Sequence, residues 1–185
     1  KTAPLPFQGQ KRNFVEPFVA TLKELSQSQD IKVVVDLFGG SGLLSHTAKR
    51  VLPGCKVVYN DYDGYSKRLQ AVVATNNLLS NIRVILKDCP REKRINEAYK
   101  SLVIARVEKE ERKGFVDYIT LSSSLLFSAN YVTNFDELKA STLYNNVKQS
   151  NYDVKAAEYL HGLEIVKRDY LELFNQYKDV PGVLF

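Results

Sequence analysis

Two acids and a run of glycines carry most of the chemistry that this sequence offers. Asp36 ends the β-branched run VVVD, and LFGGSG follows it, so Phe38, Gly39, Gly40, Ser41 and Gly42 lead into an amphipathic segment. A second apolar run, VVYN, ends at Asp61 and is followed by Tyr62. Glycines in a strand-to-helix turn allow dihedrals with φ > 0 and a close approach of backbone to ligand. The helix behind such a turn offers unpaired N–H groups to a carboxylate or phosphate. An acid at the end of the next strand is placed to accept from ribose hydroxyls. Asp36 would repel a pyrophosphate and attract an ammonium group, and the turn does not read G-x-G-x-x-G. Together these features favour S-adenosylmethionine over a nicotinamide dinucleotide. Each acid alone has a plainer explanation: Asp36 as a helix cap, Asp61 as a strand end in solvent.

To position these groups the chain needs strand, turn, helix and strand in that order, a unit of about 30 residues. The hydrophobic pattern predicts strands over 31–36 and 56–60, and helices over 42–52 and 64–80. Upstream, residues 4–12 read as a loop, and Asn13 is expected to cap a helix running to Leu25. Phe14, Phe18, Leu22 and Leu25 share one face of it, and Pro17 falls in its first turn. Residues 91–113 read as a long solvated helix, 115–127 as a second helix, 131–151 as loops and short helices, and 153–161 as another helix. The strand–helix pattern then resumes, with a strand over 164–167, a helix over 170–177 and a strand beginning at Val183. The expected fold is α/β: a Rossmann-like core from residues 1–87 and 162–185, with a mostly helical insertion over 88–161.

Composition limits the classes available. A chain of 185 residues with 44% hydrophobic and 25% charged residues is globular, not disordered. Two cysteines, Cys55 and Cys89, have neither metal-ligand spacing nor the density of a disulfide framework. That predicts a reducing, cytoplasmic setting and no metal site. No apolar stretch approaches the roughly 20 residues that span a bilayer, and residues 1–12 have no signal-peptide character. The net charge of +5 permits a polyanionic partner without requiring one. The sequence has no methionine and stops inside the apolar run Gly182–Phe185, so it is expected to be part of a longer protein.

Four motifs in order resemble the Dam-like (D12 class) adenine-specific DNA methyltransferases. PLPFQGQK (4–11) resembles that family's PxxWAGGK loop, with Phe7 in place of tryptophan, Gly9 and Lys11 matching, and Gln10 departing from glycine. DLFGGSG (36–42) resembles the (E/D)PFxGxG cofactor motif. NDYD (60–63) resembles NDxN, and Lys167–Tyr170 resembles a later strand ending in D-F. The resemblance implies a methyl donor, S-adenosylmethionine, held by Phe7, Gly9, Lys11, Asp36, Phe38, Gly39, Gly40, Ser41 and Gly42. It also implies that Asp61 binds the ribose, Tyr62 flanks the adenine, Asp169 contacts the adenine amino group and Tyr170 packs beside it. The family's catalytic DPPY is expected just after the strand that begins at Val183. No such tetrapeptide occurs up to Phe185, so the chain itself is expected to be inactive.

In that family the insertion recognises the target, which implies double-stranded DNA as partner. A restriction–modification setting is expected alongside it, and a monomer is favoured, although the sequence itself fixes neither a companion restriction enzyme nor the oligomeric state. Arg91, Lys93 and Arg94, with Arg83 and Lys87, are candidates for phosphate contacts. Asn130, Tyr131 and Asn134, with Asn145 and Asn146, are candidates for base edges. Acids are interleaved with the bases over 91–113, so a charged outer face explains that stretch equally. An RNA or small-molecule methyltransferase and a non-catalytic binding module share the same cofactor signature and remain alternatives.

Overall fold

Alternating valines build the sheet. In the computed structural model, which describes residues 2–127 and 130–185, four strands form: β1 (Val33–Asp36), β2 (Lys56–Asn60), β3 (Glu164–Val166) and β4 (Val183–Leu184). They lie in the order β3-β2-β1-β4 and every pairing is parallel. Val34 is opposite Val57, Val35 opposite Val58, and Val33 opposite Val183. The two-residue period sends Val34 and Val57 to one face, where they pack with Leu22 of α1 (Val15–Ser28) and Ala48 of α2 (Leu43–Val51). Val35 and Val58 face the other way, onto Leu173 and Tyr177 of α8 (Tyr170–Tyr177). Because both faces are covered there, the central strands β1 and β2 read as apolar runs, whereas edge strand β3 leaves Glu164 and Ile165 exposed. Each buried valine contributes about 1.5–3 kcal/mol.

The expected α/β architecture is present, and the sheet places its topological switch point between β1 and β4. There the chain order leaves β1 in both directions, and ligands bind outside the carboxyl ends of such strands.

Several boundaries differ from the sequence reading for identifiable reasons. Asn13 does not cap α1: it lies within a short 3-10 turn (Arg12–Phe14), and Phe14 takes the cap position with no side-chain hydrogen bond. The helix expected over 64–80 is two, α3 (Tyr65–Gln70) and α4 (Val72–Ile85). The long charged helix starts later than expected, as α5 (Glu97–Glu111), because Asn96 accepts from the Tyr99 N–H and fixes the first turn there. Residues 92–95 instead run alongside 143–145, with Arg94 and Tyr144 in an antiparallel bridge. The segment expected to be helical over 153–161 contains only a 3-10 turn (Val154–Glu158).

The chain divides into two compact units. The first, residues 1–3, 9–67 and 158–185, holds the sheet, α1, α2 and α8. The second, residues 4–8 and 68–157, holds α4, α5, α6 (Tyr118–Leu125) and α7 (Phe135–Ala140). It buries Leu79, Ile82, Val103, Val107, Leu121, Leu125 and Leu138. The sequence reading put α4 with the sheet. In the structure α4 belongs to the second unit, where the Asn76 amide donates to the Tyr152 carbonyl and accepts from the Tyr152 N–H. A buried ion pair organises the same unit, with Arg68 Nε 2.8 Å from Asp117 Oδ1. Arg68 also donates to the Pro6 carbonyl at 2.7 Å, which ties residues 4–8 to this unit, while Asp117 caps α6 by accepting from Thr120 N. Removing either charge would strand the other in a desolvated site. Among the described residues no helix is long and apolar enough to cross a membrane.

His46 of α2 stacks on Tyr159 with ring centroids 4.3 Å apart, and its Nδ1 lies 2.8 Å from the Tyr159 carbonyl. Burial holds its pKa below the ordinary 6.5, against the raising effect of that carbonyl and with a smaller lowering by Arg50. A depressed folded pKa means the unfolded chain takes the proton first, so this contribution is present above 6.5 and is lost as pH falls through the folded value. His46→Phe keeps the stack and removes the titration. Urea denaturation between about pH 7 and pH 5 should then show a flatter stability profile than the parent.

Candidate active site

The site grows from the carboxyl ends of β1, β2 and β3, and a buried amide joins them. Asn60, the last residue of β2, is 2% exposed. Its Nδ2 donates to the Leu37 carbonyl at 3.0 Å and to the Arg168 carbonyl at 2.9 Å, and its Oδ1 accepts from Arg168 N at 3.0 Å. One side chain thus holds the exits of three strands, and with them the turn after β1 and the segment leading to Asp169 and Tyr170. Sequence reasoning treated Asn60 only as part of a motif. The available signal was an amide at the end of an apolar strand, a group that must find partners when buried.

Tyr59 is the second residue that the sequence reading missed. Its hydroxyl lies 2.7 Å from the Gly40 carbonyl and 2.9 Å from Asp61 Oδ1, sharing one proton between them. Burial first, then the negative charges of Asp61 and Asp36, push its pKa far up, so it remains a neutral donor. This ring explains one of the glycines. A Cβ at Gly39 would overlap the Tyr59 ring and come within 2.9 Å of the Asn60 carbonyl. Gly42 is required twice over, by a φ of +67° and by Leu160, whose Cδ2 would be 2.7 Å from a Cβ. Gly40, with φ 52°, also occupies the left-handed region. Gly39 and Gly42 are thus needed by internal packing, independently of any ligand.

The two acids have different surroundings. Asp36 Oδ2 accepts from Ser45 Oγ at 2.6 Å, and its other oxygen has no hydrogen bond among the described residues. Asp36 opens onto a pocket of about 290 Å³ lined by Phe18, Val35, Leu37, Phe38, Leu44 and Phe185 among others, at the switch point between β1 and β4. Asp61 is 4% exposed and accepts from Tyr59 Oη, Tyr65 N, Ser66 N and Ser66 Oγ. A carboxylate has about four acceptor positions, so Asp61 is saturated as the anchor of α3. A ribose hydroxyl reaches it only if one of those donors turns away, and the Ser66 hydroxyl is the one free to rotate.

Around these acids stand exposed aromatic rings. Phe38 and Tyr62 are 63% and 65% exposed, and covering such rings with a flat partner would be favourable. Phe38 lies 5.1 Å from Tyr170, ring centre to ring centre, and Lys167 Nζ lies 5.8 Å from the centre of the Tyr62 ring. Asp169 caps α8 through Leu171 N with Oδ1. Lys11 Nζ reaches the Phe38 carbonyl at 3.4 Å, which brings the lysine of the QGQK loop to the glycine turn. Gly9 belongs to the same unit, and Ser41 is buried in the turn. Phe7 belongs to the second unit and is half-buried there.

The candidate DNA contacts separate in the same way. Asn134 caps α7 by accepting from Glu137 N, Asn145 donates to the Leu86 and Cys89 carbonyls, and Asn146 donates to Leu126. Arg83 donates to Lys148 O and Asn151 Oδ1, and Arg91 to the Val147 carbonyl. These side chains hold the second unit together. Lys93 and Asn130 are exposed, Tyr131 is half-exposed, and among the described residues the Arg94 side chain makes a loose ion pair with Glu97 at 3.9 Å.

Comparison with known proteins gives the same direction. Residues 7–180 match the model of the D12 class N6 adenine-specific DNA methyltransferase family. A protein named "Putative methyltransferase" from Haemophilus influenzae is 38% identical over 190 residues, covering 100% of this chain and 62% of the relative. The chain therefore spans less than two thirds of that relative's length. No solved structure matches.

Replacing Asn60 by alanine would leave the Leu37 carbonyl and both Arg168 backbone groups without their partner. The expected cost is about 3 kcal/mol of stability, read as a lower urea midpoint with an unchanged slope. An unaltered midpoint would mean that the three strand ends do not depend on this amide.

Proposed function

Because the chain belongs to the D12 class N6 adenine-specific DNA methyltransferases, we propose that its protein transfers a methyl group from S-adenosylmethionine to N6 of adenine in DNA. The observation that carries the donor half of this reading is Asp36. It is a carboxylate with one oxygen fixed by Ser45 and one unused, at the switch point of a parallel sheet and next to exposed aromatic rings.

The residues fit such a cofactor. The unused Asp36 oxygen accepts from the ammonium of the methionine moiety, a charge-assisted bond. The left-handed turn at Gly40 and Gly42, with Ser41, brings backbone to the cofactor, and Lys11 braces that turn through the Phe38 carbonyl. Gly9 and Phe7 complete the N-terminal loop of the same motif, and Gly39 seats Tyr59 behind the turn. Tyr62, Phe38 and Tyr170 offer faces to the adenine ring, and Asp169 accepts from its amino group with the oxygen not used in capping α8. Asp61 would hold the ribose if the Ser66 hydroxyl rotated off it. When bound, the cofactor supplies an electrophilic methyl group on a sulfonium. Asn60, Tyr59 and Asp61 hold the strand exits still, so that group is presented in one orientation.

The second unit is proposed to contact double-stranded DNA as the target-recognition region, with Lys93 and Arg94 toward phosphates and Asn130 and Tyr131 toward bases, while Arg91 and Asn134 stay engaged with the Val147 carbonyl and the Glu137 N–H. Adenine N6 lies inside a paired duplex, so reaction requires the base to leave the stack. A reducing, cytoplasmic setting is proposed from Cys55 and Cys89, both of which are free thiols.

Calorimetric titration of the chain with S-adenosylmethionine tests the donor half. Asp36→Asn keeps an acceptor for Ser45 and removes the charge, and it should weaken binding by roughly ten- to a hundredfold. Ser66→Ala frees one acceptor position on Asp61 and should tighten binding severalfold. Binding unchanged in Asp36→Asn would overturn the assignment of the ammonium to Asp36. Weaker binding in Ser66→Ala would remove Asp61 from the ribose.

A further inference from the structure

We propose that the second unit carries a pocket for an unpaired nucleobase, walled by Phe127 and Tyr144 and read by Asn130, Gln8 and Thr142. This rests on the reading of DNA as the substrate and adds a base-binding site to it. The pocket measures about 530 Å³, within the roughly 300–1,000 Å³ of small-molecule sites. Every residue lining it belongs to the second unit, and none is charged. Phosphate therefore has no cation to pair with inside it, whereas a flat polar ring has both aromatic faces and hydrogen-bonding groups.

Two features select a base over another flat molecule. Phe127 is 64% exposed although it follows the buried pair Leu125 and Leu126, and its ring centre is 5.7 Å from that of Tyr144 at a 54° tilt. That tilt leaves ring surface open, and a base stacks on an aromatic face irrespective of sequence. The amides of Gln8 and Asn130 and the hydroxyl of Thr142 make no side-chain hydrogen bond among the described residues. An amide offers a donor and an acceptor in one plane, the pattern that matches a base edge.

The walls are also held in place before any ligand arrives. Tyr144 N donates to the Leu125 carbonyl at 2.7 Å, Asn146 N to Ser124 O at 3.0 Å, and Asn146 Nδ2 to Leu126 O at 3.0 Å. On the other side, Val132 N donates to Ser122 Oγ at 2.9 Å. The segment carrying Tyr144 is bridged to Arg94, which is exposed and whose ion pair among the described residues is with Glu97 at 3.9 Å. A base seated against Phe127 and Tyr144 thus has a cation on the adjoining segment for its phosphate. Such preorganisation lowers the ordering cost of binding.

The test has two arms on the 185-residue chain. In the first, 2-aminopurine deoxyriboside is titrated while backbone amide resonances are followed by NMR. Saturable shifts are expected at Phe127, Asn130 and Tyr144, and Phe127→Ala should weaken the nucleoside by about tenfold. In the second, a short single-stranded DNA carrying one 2-aminopurine is followed by fluorescence quenching and by anisotropy. Phe127→Ala should remove the quenching, and Arg94→Ala should weaken the oligonucleotide but not the nucleoside. Lys109→Ala, on exposed α5, should change neither. Nucleoside shifts that do not saturate, or that fall outside this pocket, overturn the proposal. DNA binding that Phe127→Ala leaves intact in both signals also overturns it while the DNA reading stands. Nucleoside binding in the pocket without any DNA binding supports the pocket and removes DNA as the substrate.

Discussion

The side chain of Asn60 is the constraint on which the rest of the site depends. Parallel strands end with carbonyls and N–H groups pointing beyond the sheet, and nothing in the ladder fixes the segments that follow. Here one buried amide satisfies a carbonyl after β1 and both backbone groups of Arg168 after β3, from its position at the end of β2. Phe38, Tyr62 and Tyr170 all lie within two residues of a group so fixed. The exposed rings are therefore presented by a frame that is itself buried and fully hydrogen-bonded, which is what a small-molecule site requires of its supporting residues.

The glycine turn and the two acids look different once the frame is described. A glycine-rich turn is commonly explained by the ligand it admits. In this chain Tyr59 claims the space over Gly39 and donates to Gly40, and Leu160 claims the space over Gly42. Packing alone would preserve these glycines, so their presence is weaker testimony to a ligand than it looks. Asp61 likewise uses all four acceptor positions, three on α3 and one on Tyr59. Asp36 is the acid with capacity left over, with one oxygen held by Ser45 and the other open to a cationic group.

Much of this was legible in the sequence because it depends on short-range rules. VVVD and KVVYN read as buried parallel strands, β2 matched its expected limits of 56–60, and Asp36 fell at the mouth of the turn as its position implied. What escaped was set by partners distant in the chain. Asn60 meets Arg168, Asn76 meets Tyr152 and Arg68 meets Asp117 and Pro6, and no local pattern announces such pairs. Asn134, Asn145 and Asn146 carry amides that the sequence offers for base edges, yet they are spent on capping and backbone contacts. Composition shows that an amide is present, and only the fold shows which amides remain unpaired. The start of α5 was misjudged for a related reason, since Asn96 was available as a cap while residues 92–95 paired with a segment some fifty positions away.

The central claim is a methyl transfer from S-adenosylmethionine to N6 of adenine in DNA. The protein that carries this chain, in its natural length, should be incubated with methyl-labelled S-adenosylmethionine and either unmethylated duplex DNA or RNA, and the product digested to nucleosides. The account predicts label in N6-methyldeoxyadenosine from the DNA alone. Label in RNA, in another deoxynucleoside, or in neither polymer would contradict it.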